Sequence, residues 1–406
     1  MSASGLRPAV TELRLSAFKS HRRAVFSLGP LTLFAGPSGS GKSGVLEAYA
    51  ALARLAGGAR LAEVFREPAS YIPRRARPDR QGRRGFRIGC TVDGPVGPVR
   101  LDVAVQAEPE LRIVGERLTG AGETLLETAL RDPERRSVQA AWHTAGAVAV
   151  TRAPLPDDRL ATSLLPLRVA GITEGQRLAL AGAEQVVIAL RSVFACDPRP
   201  DRMRAPAAPR DGRLRGGCEN LAAVLRRTSR ECVSRHAALV AAVRAGCAGP
   251  VEGLVTEGSG GGGVRALVEQ GELGAMPVER LGDGELRYLA LALVLLTGPG
   301  VLAMDPAADV LPARQVLTVL ADGFDRCLDR RQARELLGVA VRMCARGHIR
   351  LVGTVGDVGG GGGGGPPPRG AARPGGGGGR GGGGGGGGGA PPRHGGRSRH
   401  GGKPGA

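Results

Sequence analysis

The feature that most constrains this chain is a glycine-rich segment at residues 36–43, which reads Gly-Pro-Ser-Gly-Ser-Gly-Lys-Ser. An apolar run at 31–35 precedes it and an alanine-rich stretch at 43–55 follows it, which predicts a strand, a loop and a helix. Glycines let such a loop turn tightly, so that its N–H groups and the start of the helix face one anion. Lys42 would neutralise phosphate oxygens and the Ser43 hydroxyl would bind magnesium. The predicted nucleotide-binding residues are Gly36, Ser38, Gly39, Ser40, Gly41, Lys42 and Ser43.

Composition narrows the class of protein. The net charge of +19 favours an anionic partner, nucleic acid or nucleotide, without specifying which. The seven cysteines are scattered and form no Cys-x-x-Cys pair, which argues against a zinc site or a disulfide framework and favours a reducing cytoplasm. The longest apolar run, 288–296, is about half of the roughly 20 residues that a membrane span needs. We therefore expect a soluble, cytoplasmic protein.

Residues 359–406 are mostly Gly with Pro and Arg, and they contain no acidic residue. Ordering them would cost on the order of 50–100 kcal/mol, at ~1–2 kcal/mol each, with almost nothing apolar to bury in return. We predict a disordered tail. Arg-Gly tracts that bind RNA usually interleave aromatic residues, which this one lacks, so an RNA-binding tail and an inert tail remain the alternatives.

The preceding sequence mixes strand and helix patterns, which predicts an α/β fold with a mixed central sheet, an antiparallel β lobe and a helical lobe. The predicted strands are 10–16, 24–28, several within 86–118, 251–257, 264–269, 301–305, 349–354 and a buried central strand at 31–35. The predicted helices are 173–194, 219–245, 285–296, 313–328 and 330–346, with a mobile connection at 195–215.

Two later segments carry further chemistry. Residues 281–287, Leu-Gly-Asp-Gly-Glu-Leu-Arg, open the helix predicted at 285–296. One helix and a Gly-Pro turn later, four apolar residues at 301–304 run into Asp305. A carboxylate at the end of such a strand is suited to assist a magnesium ion.

These segments together resemble an ATPase head of the SMC/RecF-like branch of the ABC ATPases, a class of P-loop NTPase. The resemblance rests on LRLSAFKSH, GPSGSGKSGVLEA, GGCENLAAVL, LGDGELRYLALAL and VLAMD. It covers about residues 8–358, as a P-loop and antiparallel-sheet lobe (8–170), a helical lobe (171–280) and a signature lobe (281–358). It implies ATP and Mg²⁺ as ligands and a homodimer that sandwiches ATP. In that dimer Asp305 would assist the magnesium at Ser43, and the signature turn of one copy would contact the nucleotide held by the other. The residues of the signature turn are Gly282, Asp283, Gly284 and Glu285.

Departures from the family pattern weaken the hydrolytic half. Counted from Asp305, the family's catalytic glutamate falls on Pro306. The signature serine falls on Gly282, and Val355 follows the last strand where the switch histidine belongs. Loss of a general base typically costs about 10²–10⁴-fold in rate. The catalytic residue is thus unknown and weak ATP hydrolysis is expected. An ABC transporter subunit is the rival within the superfamily, but transporters place the signature much closer to the P-loop than Leu281 lies to Ser43.

A basic run at 74–87 holds seven arginines against one aspartate and suggests contact with a nucleic-acid backbone, although a solvated loop explains it equally well. The arginines are Arg74, Arg75, Arg77, Arg80, Arg83, Arg84 and Arg87. The resulting hypothesis is an ATP-dependent, dimerising switch in DNA maintenance, repair or defence. The alternative is a non-hydrolysing nucleotide-binding scaffold that signals to a protein partner.

Overall fold

A computed structural model describes residues 7–144, 152–304 and 316–356, all within the first of the two units into which the chain divides, Met1–Gly360. The predicted tail at 359–406 lies outside the described residues. So do Asp305 and Pro306.

Fifteen strands in the described residues form three sheets, with orders β2-β1-β4-β5-β6-β7-β8-β9, β10-β14-β15-β3 and β11-β12-β13. The strands are β1 Ala9–Phe18, β2 His21–Ser27, β3 Leu31–Phe34, β4 Arg84–Asp93, β5 Val99–Glu108, β6 Arg112–Gly120, β7 Glu123–Ala129, β8 Ser137–Trp142, β9 Arg152–Pro156, β10 Val193–Cys196, β11 Gly253–Ser259, β12 Gly263–Glu269, β13 Ala275–Pro277, β14 Leu317–Ala321 and β15 Ile349–Thr354. The helices are α1 Lys42–Ala56, α2 Leu61–Val64, α3 Ala161–Leu164, α4 Glu174–Arg191, α5 Pro200–Met203, α6 Leu221–Glu231, α7 Val233–Gly246, α8 Asp283–Leu296 and α9 Arg330–Ala345. The predicted α/β class is confirmed.

The eight-stranded sheet is antiparallel throughout, and alternate residues are buried along much of β5 and β8. In β1, Leu13 and Leu15 pair with Cys90 and Ile88 of β4, and all four side chains are at most 1% exposed. Helix α4 packs across β1, β4, β5, β6 and β7, which covers this apolar face.

The four-stranded sheet is parallel and covered on both faces. Leu317 and Val319 of β14 belong to one apolar cluster, with α8 and α9, whereas Leu320 belongs to the other, beneath the antiparallel sheet. Burial on both sides explains why residues 316–321 are continuously apolar or small with one threonine. The prediction of a buried central strand at 31–35 is wrong, because β3 lies at the edge of this sheet in the described residues and is half-buried.

Two predictions about the C-terminal third are also wrong. The predicted strand at 301–305 is, over its described part, a 3₁₀ turn at Pro299–Val301 and an isolated bridge between Leu302 and Leu214. The preceding Gly-Pro-Gly at 298–300 favours this turn over a strand. The predicted helix at 313–328 contains β14, because a short apolar run does not distinguish a buried strand from a helix.

The helical lobe is more segmented than predicted. The helix predicted at 173–194 ends at Arg191 and is followed by β10. The helix predicted at 219–245 breaks at Cys232, whose φ of −153° and ψ of 88° are not helical. The connection at 195–215 is held in place, since Asp197 N donates to Gly216 O and Leu214 N donates to Val301 O. None of the helices in the described residues is long and apolar enough to cross a bilayer.

Candidate nucleotide-binding site

Residues 36–43, which join β3 to the first residues of α1, have the glycine-dependent backbone that a phosphate cradle requires. Gly36, Gly39 and Gly41 have φ values of 146°, 81° and 97°, a region that side-chain-bearing residues rarely adopt. Gly41 is doubly constrained, because a Cβ there would lie 2.5 Å from the Ser20 hydroxyl and 3.0 Å from the His21 ring. The loop therefore depends on its glycines, and we call it the P-loop.

Lys42 bends back over this loop. Its Nζ donates to Gly36 O at 2.5 Å and to Pro37 O at 2.9 Å. The first turn of α1 contains no acidic residue, so the positive end of its dipole is not neutralised from within the helix. A cation and the N-terminus of α1 thus meet at this loop, an arrangement that can bind a polyphosphate.

The second half of the site is a carboxylate that the sequence reasoning missed. Asp322 directly follows β14, and its Oδ1 accepts hydrogen bonds from Ser43 Oγ at 3.0 Å and from Thr354 Oγ1 at 2.5 Å. The available signal was the run Leu317–Ala321 ending in Asp-Gly, which resembles the run at 301–304 ending in Asp305. Among the described residues, Asp322 occupies the place beside Ser43 that the family resemblance had assigned to Asp305.

These residues fit a magnesium–nucleotide complex better than a metal held by protein alone. The described residues contain no group of three or more His, Cys, Asp or Glu that could hold a metal ion. Mg²⁺ in nucleotide sites is typically bound by one or two protein oxygens, with phosphates and water completing the octahedron. The pair Ser43–Asp322 offers that minimal set.

The residue after Asp322 supplies no base. Gly323 has φ +63°, donates its N–H to Thr354 Oγ1 at 2.7 Å and has no side chain to accept a proton. The sequence had attributed a missing base to Pro306; if Asp322 is the magnesium carboxylate, the vacant place falls on Gly323.

A third carboxylate lies at the end of the neighbouring strand. Asp197 follows β10, which pairs with β14 through Cys196 and Ala321. Together with Ser43 and Asp322 it lines a cavity of about 400 Å³, here called the Ser43 cavity. The Asp197 carboxylate is paired with two guanidiniums, Arg287 at 3.2 Å and Arg326 at 3.4 Å.

Arg287 is the more firmly held of these two. Its side chain is only 3% exposed, and it also donates to Pro198 O at 2.6 Å and to Gly323 O at 3.0 Å. It therefore connects α8 with the residues that follow both β10 and β14.

The predicted signature turn caps the helix that carries Arg287. Glu285 accepts from Gly282 N at 3.0 Å, and Asp283 pairs with Arg204 at 2.7 Å. A Cβ at Gly284 would lie 2.3 Å from Cys327 O, so only glycine fits there. Gly282 and Asp283 are exposed, which leaves the turn accessible to another molecule.

The remaining predicted residues lie around the edges of the site. Val355 follows β15, and its N–H donates to Phe34 O at 3.0 Å, immediately before the P-loop. The arginines of 74–87 are exposed except Arg84, which is half-buried and pairs with Glu108. The single aromatic residue in that run, Phe86, is 3% exposed and packs against Phe18, so it cannot stack on a base.

Comparisons with known proteins match in fold only. No family model matches the chain, and no curated protein matches it. Among solved structures, an SMC head bound to the C-winged helix domain of ScpA matches with 13% identity and a TM-score of 0.47, over 86% of this chain and 90% of that one. The SMC head domain from Thermotoga maritima matches with 12% identity and a TM-score of 0.41, over 86% and 89%. An SMC head with an extended coiled coil, bound to the C-terminal domain of ScpA derived from Pyrococcus furiosus, matches with 11% identity and a TM-score of 0.46, also over 86% and 89%. Each of these three SMC head structures matches over 86% of this chain.

Proposed function

We propose that this chain binds Mg-ATP and acts as an ATP-dependent, dimerising switch in DNA maintenance, repair or defence. The observation that carries the proposal is the 3.0 Å hydrogen bond between Ser43 of the P-loop and Asp322. It joins a phosphate cradle to a carboxylate at the carboxyl edge of a parallel sheet, where open α/β sheets bind ligands.

Weak turnover is part of the proposal. Asp322 is followed by Gly323, and neither Pro306 nor Gly323 can take a proton from an attacking water. Because a general base contributes about 10²–10⁴-fold, we expect slow hydrolysis and a long-lived nucleotide complex.

Nucleotide binding is the first test. Full-length protein should bind Mg-ATP in the micromolar range by calorimetry, and Lys42→Ala should abolish binding, because it removes the one side-chain cation of the P-loop. Arg54→Ala, at the far end of α1, is the matched control. Equal binding by Lys42→Ala and the parent would refute the site assignment.

Dimerisation is the second test. The turn Gly282–Glu285, of which Gly282 and Asp283 are exposed, would contact nucleotide held by a second copy. Light scattering should therefore detect a dimer with Mg-ATP and a monomer without it. Asp283→Arg should prevent the dimer and preserve ATP binding. A monomer at saturating ATP would contradict the switch.

DNA is the proposed partner because six of the seven arginines at 74–87 are exposed. Binding should be independent of sequence and weaken steeply with salt, since Phe86 is buried and phosphate contacts alone would release counterions. Charge reversal at Arg75 and Arg80 should reduce it.

The second candidate is a non-hydrolysing scaffold that signals to a protein partner, and Gly323 is the observation that favours it. Single-turnover measurements of phosphate release separate the two. Release that depends on Lys42 supports the switch, and its absence over hours supports the scaffold.

A further inference from the structure

The guanidinium of Arg326 lies directly against the residue that follows Asp322. A Cβ built on Gly323 would be 2.8 Å from Arg326 Nε and 2.9 Å from one of its terminal nitrogens. The space beside the Gly323 backbone therefore holds a cation.

This cation contacts two residues beside the predicted nucleotide site, namely Gly323, which follows Asp322, and Asp197. Asp322 is hydrogen-bonded to Ser43, whose hydroxyl is the magnesium ligand of the P-loop motif, and magnesium in such sites bridges β- and γ-phosphates. Asp197 pairs with Arg326 and lines the Ser43 cavity together with Ser43 and Asp322. Arg326 therefore lies on the segment after β14 and is paired with a carboxylate that lines the Ser43 cavity.

Its present contact is weak enough to exchange. Arg326 is 50% exposed and Asp197 is 47% exposed, with 3.4 Å between their charged atoms. Pairs this exposed contribute about 0–1 kcal/mol. The Asp197 carboxylate would stay neutralised after an exchange, because buried Arg287 remains paired with it at 3.2 Å.

We propose that Arg326 leaves Asp197 for the γ-phosphate of a bound nucleoside triphosphate, and so makes the site prefer triphosphate over diphosphate. The inference rests on the proposed function, since it names a further residue of the same site. A guanidinium offers charge-assisted, forked hydrogen bonds to phosphate oxygens. It binds the phosphate without accepting a proton from water, which suits a site that retains ATP.

The test compares two ligands on full-length protein. Calorimetric affinities for Mg-ATPγS and Mg-ADP are measured for the parent, Arg326→Ala and Arg326→Lys. Arg326→Ala should weaken ATPγS binding about tenfold, the equivalent of one charge-assisted hydrogen bond of about 1.4 kcal/mol, and leave ADP binding nearly unchanged. Arg326→Lys should retain part of the triphosphate preference, because it keeps the charge and loses the fork.

Arg334→Ala is the matched control, an exposed arginine further along α9. Thermal melting of each variant verifies that the fold is retained. An unchanged ATPγS-to-ADP affinity ratio in Arg326→Ala, in a protein that binds both ligands through Lys42, would overturn this inference and leave the proposed function standing. Failure of the parent to bind either ligand would overturn the proposed function itself.

Discussion

Replacing Asp322 by Asn should remove most of the contribution of magnesium to nucleotide binding while preserving the fold. Asp322 Oδ1 accepts hydrogen bonds from Ser43 at 3.0 Å and from Thr354 at 2.5 Å. The amide oxygen of Asn can accept both, so the change isolates the negative charge.

The magnitude follows from the position of the carboxylate. Loss of a group that supports a metal ligand typically lowers metal affinity about 10–100-fold, and we expect Mg-ATP affinity to fall by that factor. ATP binding in EDTA should change little. Asp322→Ala also loses both hydrogen bonds and should lower the free energy of unfolding by about 1–3 kcal/mol.

Calorimetry in Mg²⁺ and in EDTA, together with thermal melting, measures these effects. The matched variant is Asp305→Asn, which changes the carboxylate that the sequence had assigned to magnesium. If Asp305→Asn loses the magnesium dependence and Asp322→Asn retains it, the reasoning from the Ser43–Asp322 hydrogen bond is refuted.

Three other perturbations test separate parts of the molecule. Gly323→Glu should leave the steady-state rate of phosphate release near the parental rate, because the backbone φ of +63° disfavours a side chain at this position. A working general base would raise that rate about 10²-fold or more, and such a gain would contradict the prediction. Cys232 should be alkylated at lower pH than a free cysteine, since hydrogen bonds from Ser234 and the Arg235 backbone lower its pKa. Burial raises the pKa of the Cys90 thiol to about 12 and should protect it from alkylation. Mass spectrometry of iodoacetamide adducts from pH 6 to 9 measures both, and equal labelling of the two cysteines would contradict this prediction. Gly246→Ala should lower the free energy of unfolding by about 1–3 kcal/mol, because its Cβ would lie 2.3 Å from a buried tyrosine ring; an unchanged denaturant midpoint would contradict that packing.

The P-loop is a feature that the sequence predicts on its own, because its determinants are contiguous. Gly36, Gly39 and Gly41 supply positive φ values where the loop requires them, and Lys42 folds back onto carbonyls only five or six residues away. Local rules also predicted the last strand, which the structure places at Ile349–Thr354 without change.

The choice between two similar runs required the tertiary structure. Residues 301–304 and 317–321 are both short, apolar and followed by aspartate, so periodicity cannot rank them. The second run becomes β14 because it pairs with β10 on one side and with β15 on the other. β10 lies more than a hundred residues upstream, and β15 lies some thirty residues downstream. The carboxylate beside Ser43 is decided by that pairing.

The sequence by itself predicted a glycine-rich loop between a strand and a helix and an α/β fold around it, and it placed the missing base at Pro306, after Asp305. Only the tertiary structure decided which aspartate meets Ser43 and that Arg326 and Arg287 converge on Asp197. The physical reason is range. Loop and helix-cap geometry depends on backbone torsions a few residues apart, whereas contacts 90 to 279 positions apart depend on how sheets pair and pack.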